Sequence, residues 1–529
     1  MTSLNRLRRG RGTVAALTLL SSVSLAAVFP AFAQVSDKEL VVVTGNAPGA
    51  LDPSRIAAAS SGVMAMIAET LVDMNSESQI VPLLASEWSK SEDGLTWAFK
   101  LREGVSFTDG QPFNAAAVKA NWDRLLLDPD RTCLNCAQLK QFAAGAEVLG
   151  EYEVALKLKS PLADRVVLGL LTTGPYSIVS PATIAKDAPG YAELSTIVGT
   201  APYVLTENVS GDRAVFPRND AYWGEKPYFK TQRYRIVTEG ATREADVLAG
   251  TAHIAFAPPI SDLAMLQSNP DVKTVLAPSN RTLMMYPNVV SDRQPLLRDP
   301  RVRKALNLAV NVEAIVQSLL FGAGTVADAP FSATDLGYCK AGDNVYDPEA
   351  AKALLKEAGA EGMVVEMISP AGRYLQDSQV AAVVANDLRQ VGVVVNGPRT
   401  MDFPTYLTHL QAPPADSEWD LALAGLGATY MDVGASAPAY YTGSIAPKGI
   451  NSAGYSNPEV DRLYEEAAAE GDPEKRAAMY CQMGKILWED SAALYLYQQR
   501  VPIVTVNNVE GVITIPNEKI VTTYVREVE

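Results

Sequence analysis

The sequence predicts an α/β protein built from two or three lobes, on three observations. The chain has 529 residues, too many for one core at about 100–200 residues per domain. Short apolar or alternating runs are interleaved with stretches of good helix formers, the pattern of α/β architecture. Helix starts in the second half are marked by capping residues placed before proline. Hydrophobic residues make up 48% and charged residues 20%, which excludes a disordered, collagenous or coiled-coil chain.

The elements follow in order. Arg6, Arg8, Arg9 and Arg11 precede an apolar stretch from Val14 to Val28, and Ala31-Phe32-Ala33 then offers small residues where a signal peptidase reads. About fifteen apolar residues are few for a bilayer core roughly 30 Å thick, so residues 1–33 are expected to be a signal peptide cut before Gln34. Arg8-Arg9 lacks the rest of a twin-arginine signal, which points to export of the unfolded chain. No cysteine precedes Cys133, so no lipid-attachment site is expected. Removing residues 1–33, with four arginines and no acids, takes the formal charge from −15 to −19.

Glu39-Leu-Val-Val-Val-Thr is an apolar run ending in Gly45-Asn46-Ala47-Pro48-Gly49, a buried strand entering a loop. Leu95, Trp97, Phe99 and Leu101 alternate, as do Val154, Leu156 and Leu158. Residues 80–160 therefore read as β-rich. Asp299-Pro300, Asp347-Pro348, Asn457-Pro458 and Asp472-Pro473 each put a hydrogen-bond acceptor at a cap and a proline where no N–H is needed. A helix from Asp347 to Glu357 stops at Gly359. A second, Gln379 to Gln390, is broken at Gly392, and Val393-Val394-Val395 resumes a strand. Helix then strand is the mark of a crossover in a partly parallel sheet. Gly322-Ala-Gly324 loosely fits a dinucleotide loop but follows a helix rather than a strand, so it reads as a helix stop. Gly425-Leu426-Gly427 closes the apolar run Asp420-Leu-Ala-Leu-Ala. It is a loop at a strand end, where open α/β sheets place ligands.

Several function classes are disfavoured. A formal charge of −15 argues against a nucleic-acid partner. His253 and His409 are the only histidines, leaving little room for a multi-histidine metal site. No phosphate loop, His-Glu-x-x-His or Gly-x-Ser-x-Gly is present. No cofactor is expected. Cys133, Cys136, Cys339 and Cys481 in an exported chain read as two disulfides, with three connectivities possible.

A series of blocks then carries a resemblance. They are Leu51-Asp52-Pro53, Glu69-Thr70-Leu71-Val72, Pro82-Leu-Leu-Ala-Ser-Glu-Trp88, Asp93-Gly-Leu-Thr-Trp-Ala-Phe-Lys-Leu-Arg102 and Gly104-Val-Ser-Phe-Thr-Asp-Gly110. Further on come Gly199-Thr-Ala-Pro-Tyr203, Asn219-Asp-Ala-Tyr-Trp-Gly224, Arg301-Val-Arg-Lys-Ala-Leu306 and Asn457-Pro-Glu-Val-Asp461. In order and spacing the chain resembles the extracytoplasmic solute-binding proteins of ABC importers, family 5, the oligopeptide, dipeptide and nickel-binding type. The resemblance implies a bilobal, hinge-closing periplasmic-binding-protein fold. It places lobe one at 34–75, 200–284 and 500–529, an extra β-rich subdomain at 76–199 and lobe two at 285–499. The hinge crossings would lie near 284 and 499.

By the same resemblance the protein is a periplasmic monomer that captures a peptide or peptide-sized polar solute for a membrane permease. Peptide-binding relatives carry Gly-Trp-x-x-Asp after a lobe-two strand, the acid pairing with the peptide's ammonium. Here the stretch is Gly425-Leu426-Gly427-Ala428-Thr429, so Leu426 stands for the Trp and Thr429 for the Asp. A hydroxyl cannot neutralise an ammonium. Asp432 is the nearest acid that could take over, or else a solvated loop acid. Arg373, in Ser369-Pro-Ala-Gly-Arg-Tyr-Leu, matches an arginine that reads a ligand carboxylate, or else faces water. Asn46 and Tyr430 complete the expected ligand-binding set, and Tyr440-Tyr441 is either pocket wall or core. Both Cys339 and Cys481 fall in lobe two, which favours a Cys339–Cys481 bridge beside a small Cys133–Cys136 ring. The alternatives are a non-peptide ligand (an opine-like conjugate, a short glycoside or a metal chelate), a periplasmic sensor or chaperone, or an exported hydrolase using paired carboxylates.

Overall fold

The structure, a computed structural model, describes residues 39–45, 52–53, 61–127, 137–185 and 197–528. The expected signal peptide, Asn46, and the Cys133–Cys136 ring lie outside the described residues. The first strand, Glu39–Thr44, is buried through Leu40 to Val43 and lies parallel to both Thr231–Ile236 and Ile254–Phe256. A strand flanked on both sides by parallel partners has both faces covered, which is why it reads as an uninterrupted apolar run.

That strand belongs to an eleven-stranded sheet extending through both lobes. From one edge the order is Val394–Asp402, Val364–Ala371, Leu421–Leu426, Val272–Pro287, Leu494–Val506, Ile254–Phe256, Glu39–Thr44, Thr231–Ile236, Arg213–Pro217 and Glu207–Val209. Gly324–Val326 pairs on the side with Leu494–Val506. The two long central strands are antiparallel and shared by both lobes. Val272 to Pro278 pair with Val506 to Arg500, and pairing resumes only at Thr282 opposite Gln498. The interruption in the first strand thus lies at residues 279–281, a little before the crossing expected near 284. Three residues leave the ladder there to send side chains into both lobes, the re-aiming that bulges provide.

Val364–Ala371, the helix Asp377–Gln390 and Val394–Asp402 form a parallel crossover unit, with Leu421–Leu426 parallel on the other side. The helix starts two residues before the Gln379 read from the sequence, because Asp377 itself organises the preceding loop. All four Asx-Pro starts are caps: Asp299, Asp347, Asn457 and Asp472 accept hydrogen bonds from backbone N–H groups of their helices' first turns. Gly322 adopts φ +80° after a helical segment, so the loose dinucleotide pattern is a helix stop. Cys339 and Cys481 are bonded to each other. No helix among the described residues is long and apolar enough to cross a membrane.

Residues Ala85–Lys90, Thr96–Leu101, Glu153–Leu158 and Ala143–Gly150 form a separate antiparallel sheet in that spatial order. Trp97, Phe99 and Leu101 point inward from it, and Phe99 meets Trp122 edge-on at 5.7 Å. Three of the sequence blocks converge on one carboxylate. Glu69 accepts hydrogen bonds from Thr200 Oγ1 at 2.7 Å, Tyr222 Oη at 2.7 Å and Trp223 Nε1 at 3.0 Å. Burial raises its pKa, and the three donors oppose that rise. Gly199 has to be glycine, since a Cβ there would sit 2.0 Å from the Ile67 carbonyl oxygen. Another block, Arg301 to Leu306, is explained by Arg303, whose buried guanidinium binds the carbonyls of Leu297, Arg298, Asp490 and Ser491.

Candidate functional site

A turn at 516–518 from the C-terminal segment reaches the carboxyl ends of Val364–Ala371 and Leu421–Leu426, where it meets Arg373 and Thr429. Arg373 stands in the loop after the first of these strands. The loop is fixed from below by Asp377, whose carboxylate accepts from the backbone N–H groups of Gly372, Arg373 and Tyr374 at 2.8–3.0 Å. A buried acid consumed by three backbone donors holds a loop in one shape and leaves the neighbouring side chain free to do something else. The Arg373 guanidinium packs over the rings of Tyr374 at 5.1 Å and Phe403 at 5.4 Å. Its one ion-pair contact among the described residues is a long one, 3.5 Å to Glu518. Burial lowers its pKa, the like charge of Arg281 lowers it further, and Glu518 opposes both.

Arg281 comes from the interruption between the central strands and is more tightly held. It makes two 2.8 Å bonds to the two oxygens of Glu518 and a third, of 3.0 Å, to the Gly425 carbonyl. Glu518 also accepts from Gln499 at 2.8 Å. Burial raises the Glu518 carboxyl, but the two arginines and Gln499 outweigh it and hold the group far below the usual carboxylate range. At the strand end, the Gly425 N–H donates to Tyr374 Oη at 3.0 Å. A Cβ on Gly425 would lie 2.7 Å from Tyr374 Cε1 and 2.8 Å from Arg281 Cδ. Glycine is required there by close approach.

Thr429 is half-buried, and its carbonyl accepts from Asn517 Nδ2 at 2.9 Å. Leu426 packs at the edge of the lobe-two core. Tyr430 is fully buried among Leu168, Leu171 and their neighbours from the other lobe, close enough that a Cβ on Gly169 would be 2.7 Å from its own. Asp432 is buried rather than a solvated loop acid, and both its oxygens are engaged. Arg476 takes both its oxygens, at 2.5 and 2.9 Å, and the Gly434 N–H adds a 2.7 Å cap bond. Burial raises the Asp432 carboxyl, and Arg476 and the cap oppose that rise. Of the Tyr pair, Tyr440 is core, and Tyr441 binds Glu465 through its hydroxyl. The structure therefore brings Arg373, Gly425 and Thr429 together and sets Asp432 apart. Sequence reasoning missed Arg281, Tyr374, Asp377 and Glu518. An acid following Gly372 at a helix start could have flagged Asp377, whereas no local pattern marks Glu518.

A family model of bacterial extracellular solute-binding proteins, family 5, matches residues 79–448. The chain is a family 5 bacterial extracellular solute-binding protein. It serves as the substrate-binding component of an importer. The glutathione-binding protein GsiB of Salmonella typhimurium is 28% identical over 517 residues, covering 94% of this chain and 96% of that protein. Among solved structures, the periplasmic binding protein DppA of Helicobacter pylori in complex with the peptide STSA superposes with a TM-score of 0.80 at 21% identity, covering 93% of this chain and 98% of that one. NikA of Brucella suis in complex with Fe(III)-EDTA gives 0.78 at 27% identity, covering 92% and 99%.

Proposed function

We propose that this protein is exported to the periplasm, begins there at Gln34, and captures a peptide-sized solute through a carboxylate for delivery to an ABC permease. Arg373 is the observation that carries the reading. It is a guanidinium held by its loop at the strand ends, stacked on two rings and only loosely paired, which suits two-pronged recognition of a planar carboxylate. Opposite it, the strand end offers Thr429 and backbone groups in place of an acid, and Asp432 is already bound to Arg476. The ligand end facing Thr429 is therefore uncharged or blocked rather than a free ammonium. An acylated peptide fits this class.

Calorimetry against alanyl-alanine, N-acetyl-alanyl-alanine and the amide of the latter tests the reading. The acetylated acid should bind at least tenfold more tightly than the other two, and Arg373→Gln should remove that advantage. Thr429→Asp should recover the free-amine dipeptide. Micromolar binding of alanyl-alanine by the native protein would sink the proposal. Native mass spectrometry of the purified protein would then identify the solute it retains, and an intact mass that includes residues 1–33 would count against the export site.

A further inference from the structure

Two arginines and one glutamate meet at this end of the cleft, so the described charges there leave a surplus of one positive charge. The surplus is unevenly placed. Arg281 has spent its donors on both Glu518 oxygens and on the Gly425 carbonyl, and its side chain is 12% exposed. Arg373 reaches Glu518 at only 3.5 Å, and its side chain is 23% exposed. Of the other charges nearby, Asp377 is bound by backbone N–H groups, Asp432 by Arg476, and Lys519 by Asp73 at 2.6 Å. Asp335 accepts from Asn280 at 3.1 Å through one oxygen, and burial raises its carboxyl well above the usual range, toward the uncharged form. Glu518 is also held at φ +68°, a backbone conformation that residues other than glycine rarely adopt. Its carboxylate takes a further bond from Gln499 and one of 3.3 Å from Ser279. A strained residue so fully bonded is kept in place by the fold and does not swing aside for a ligand.

We propose that Glu518 is a specificity-determining residue: by occupying Arg281 it leaves Arg373 as the one uncompensated cation, limiting the ligand to a single carboxylate at that end. This rests on the carboxylate reading of Arg373. A second ligand carboxylate would meet the Glu518 carboxylate across a poorly hydrated gap, where like charges repel strongly. An uncharged end would leave Arg373 with no partner beyond its long contact to Glu518.

The test is calorimetry of the full-length mature protein with three probes: N-acetyl-alanyl-alanine, N-acetyl-alanyl-aspartate and N-acetyl-alanyl-alanine amide, carrying one, two and no carboxylates. In the native protein the first should be favoured at least tenfold over each of the others. Glu518→Gln should shift the ratio of the second to the first by tenfold or more toward the second. Arg281→Gln should act in the opposite sense and bring the amide within about threefold of the acid. Each variant decides the matter alone if the other does not fold. Ratios unchanged within threefold, with Arg373→Gln still costing tenfold on the first probe, would overturn the role of Glu518 and leave the carboxylate reading standing. A native protein that takes acid and amide alike, or takes neither, would overturn both.

Discussion

Replacing Asp432 with Asn separates a structural role from a ligand role. The substitution leaves an oxygen to cap Gly434 but removes the negative charge that both Arg476 nitrogens contact. The two side chains are 2% and 6% exposed, so Arg476 would be left charged and buried with no anion in contact, keeping the Ala467 carbonyl, the Tyr480 hydroxyl and the amide oxygen that caps Gly434. Removing one member of a buried pair costs about 3–5 kcal/mol, whereas the retained cap spares the roughly 1 kcal/mol that Asp432→Ala would add. With a urea dependence of about 3 kcal/mol/M, the unfolding midpoint should fall by about 1–1.7 M. Urea titration followed by tryptophan fluorescence measures it, and calorimetry with N-acetyl-alanyl-alanine on the folded variant should find the affinity within threefold of native. A midpoint that barely moves while peptide binding is lost would refute the reasoning and make Asp432 a ligand-reading acid.

Replacing Cys339 and Cys481 with Ser opens a bridge spanning 142 residues, worth about 5 kcal/mol on the chain-entropy model; urea midpoints and non-reducing peptide maps check the size and the pairing. His253 is buried, accepts from the Val41 N–H at 2.9 Å and packs against Phe229, and burial pulls its pKa down to about 4. The unfolded chain then binds the extra proton first, so this contribution is complete above about pH 6.5 and is lost as pH falls toward 4, about 3 kcal/mol in all. His253→Asn should flatten the fall in urea midpoint between pH 7.5 and 4.5, and parallel curves would count against it. Gly425→Ala drives a methyl into Tyr374 and Arg281 and should weaken binding of N-acetyl-alanyl-alanine by tenfold or more, about 1.4 kcal/mol, as read by calorimetry.

What was legible in the sequence was whatever is decided within a dozen residues. The run Leu40 to Val43, the alternation of Trp97, Phe99 and Leu101, the four caps and the crossover around Asp377–Gln390 all record a local choice between burial and exposure. The family blocks were legible as a pattern, but their meaning was not. Glu69 needs Thr200, Tyr222 and Trp223 to become a hub, and those lie 131 to 154 positions away. The same limit applies in the cleft. Arg373 stands out by its loop, but Arg281 and Glu518 are 237 positions apart and become one unit only when the sheet crosses between the lobes. The burial of Asp432 was not legible because its partner, Arg476, lies 44 positions on, in another helix.

The Glu69 hub has a consequence for how such a chain can vary. The segment leaving at Glu69 returns at Thr200, 131 positions later, onto the same carboxylate. To the lobe it is a loop whose ends are already pinned together. Closing a loop costs only about 0.6 kcal/mol more for each doubling of its length. The small four-stranded sheet carried by that loop can thus be lengthened, trimmed or exchanged without breaking into the ladder of the separate eleven-stranded sheet. Diversity in that sheet is cheap as long as one acid, one threonine and two aromatic donors keep the ends of the loop fastened, and Leu168 and Leu171 keep their packing on Tyr430.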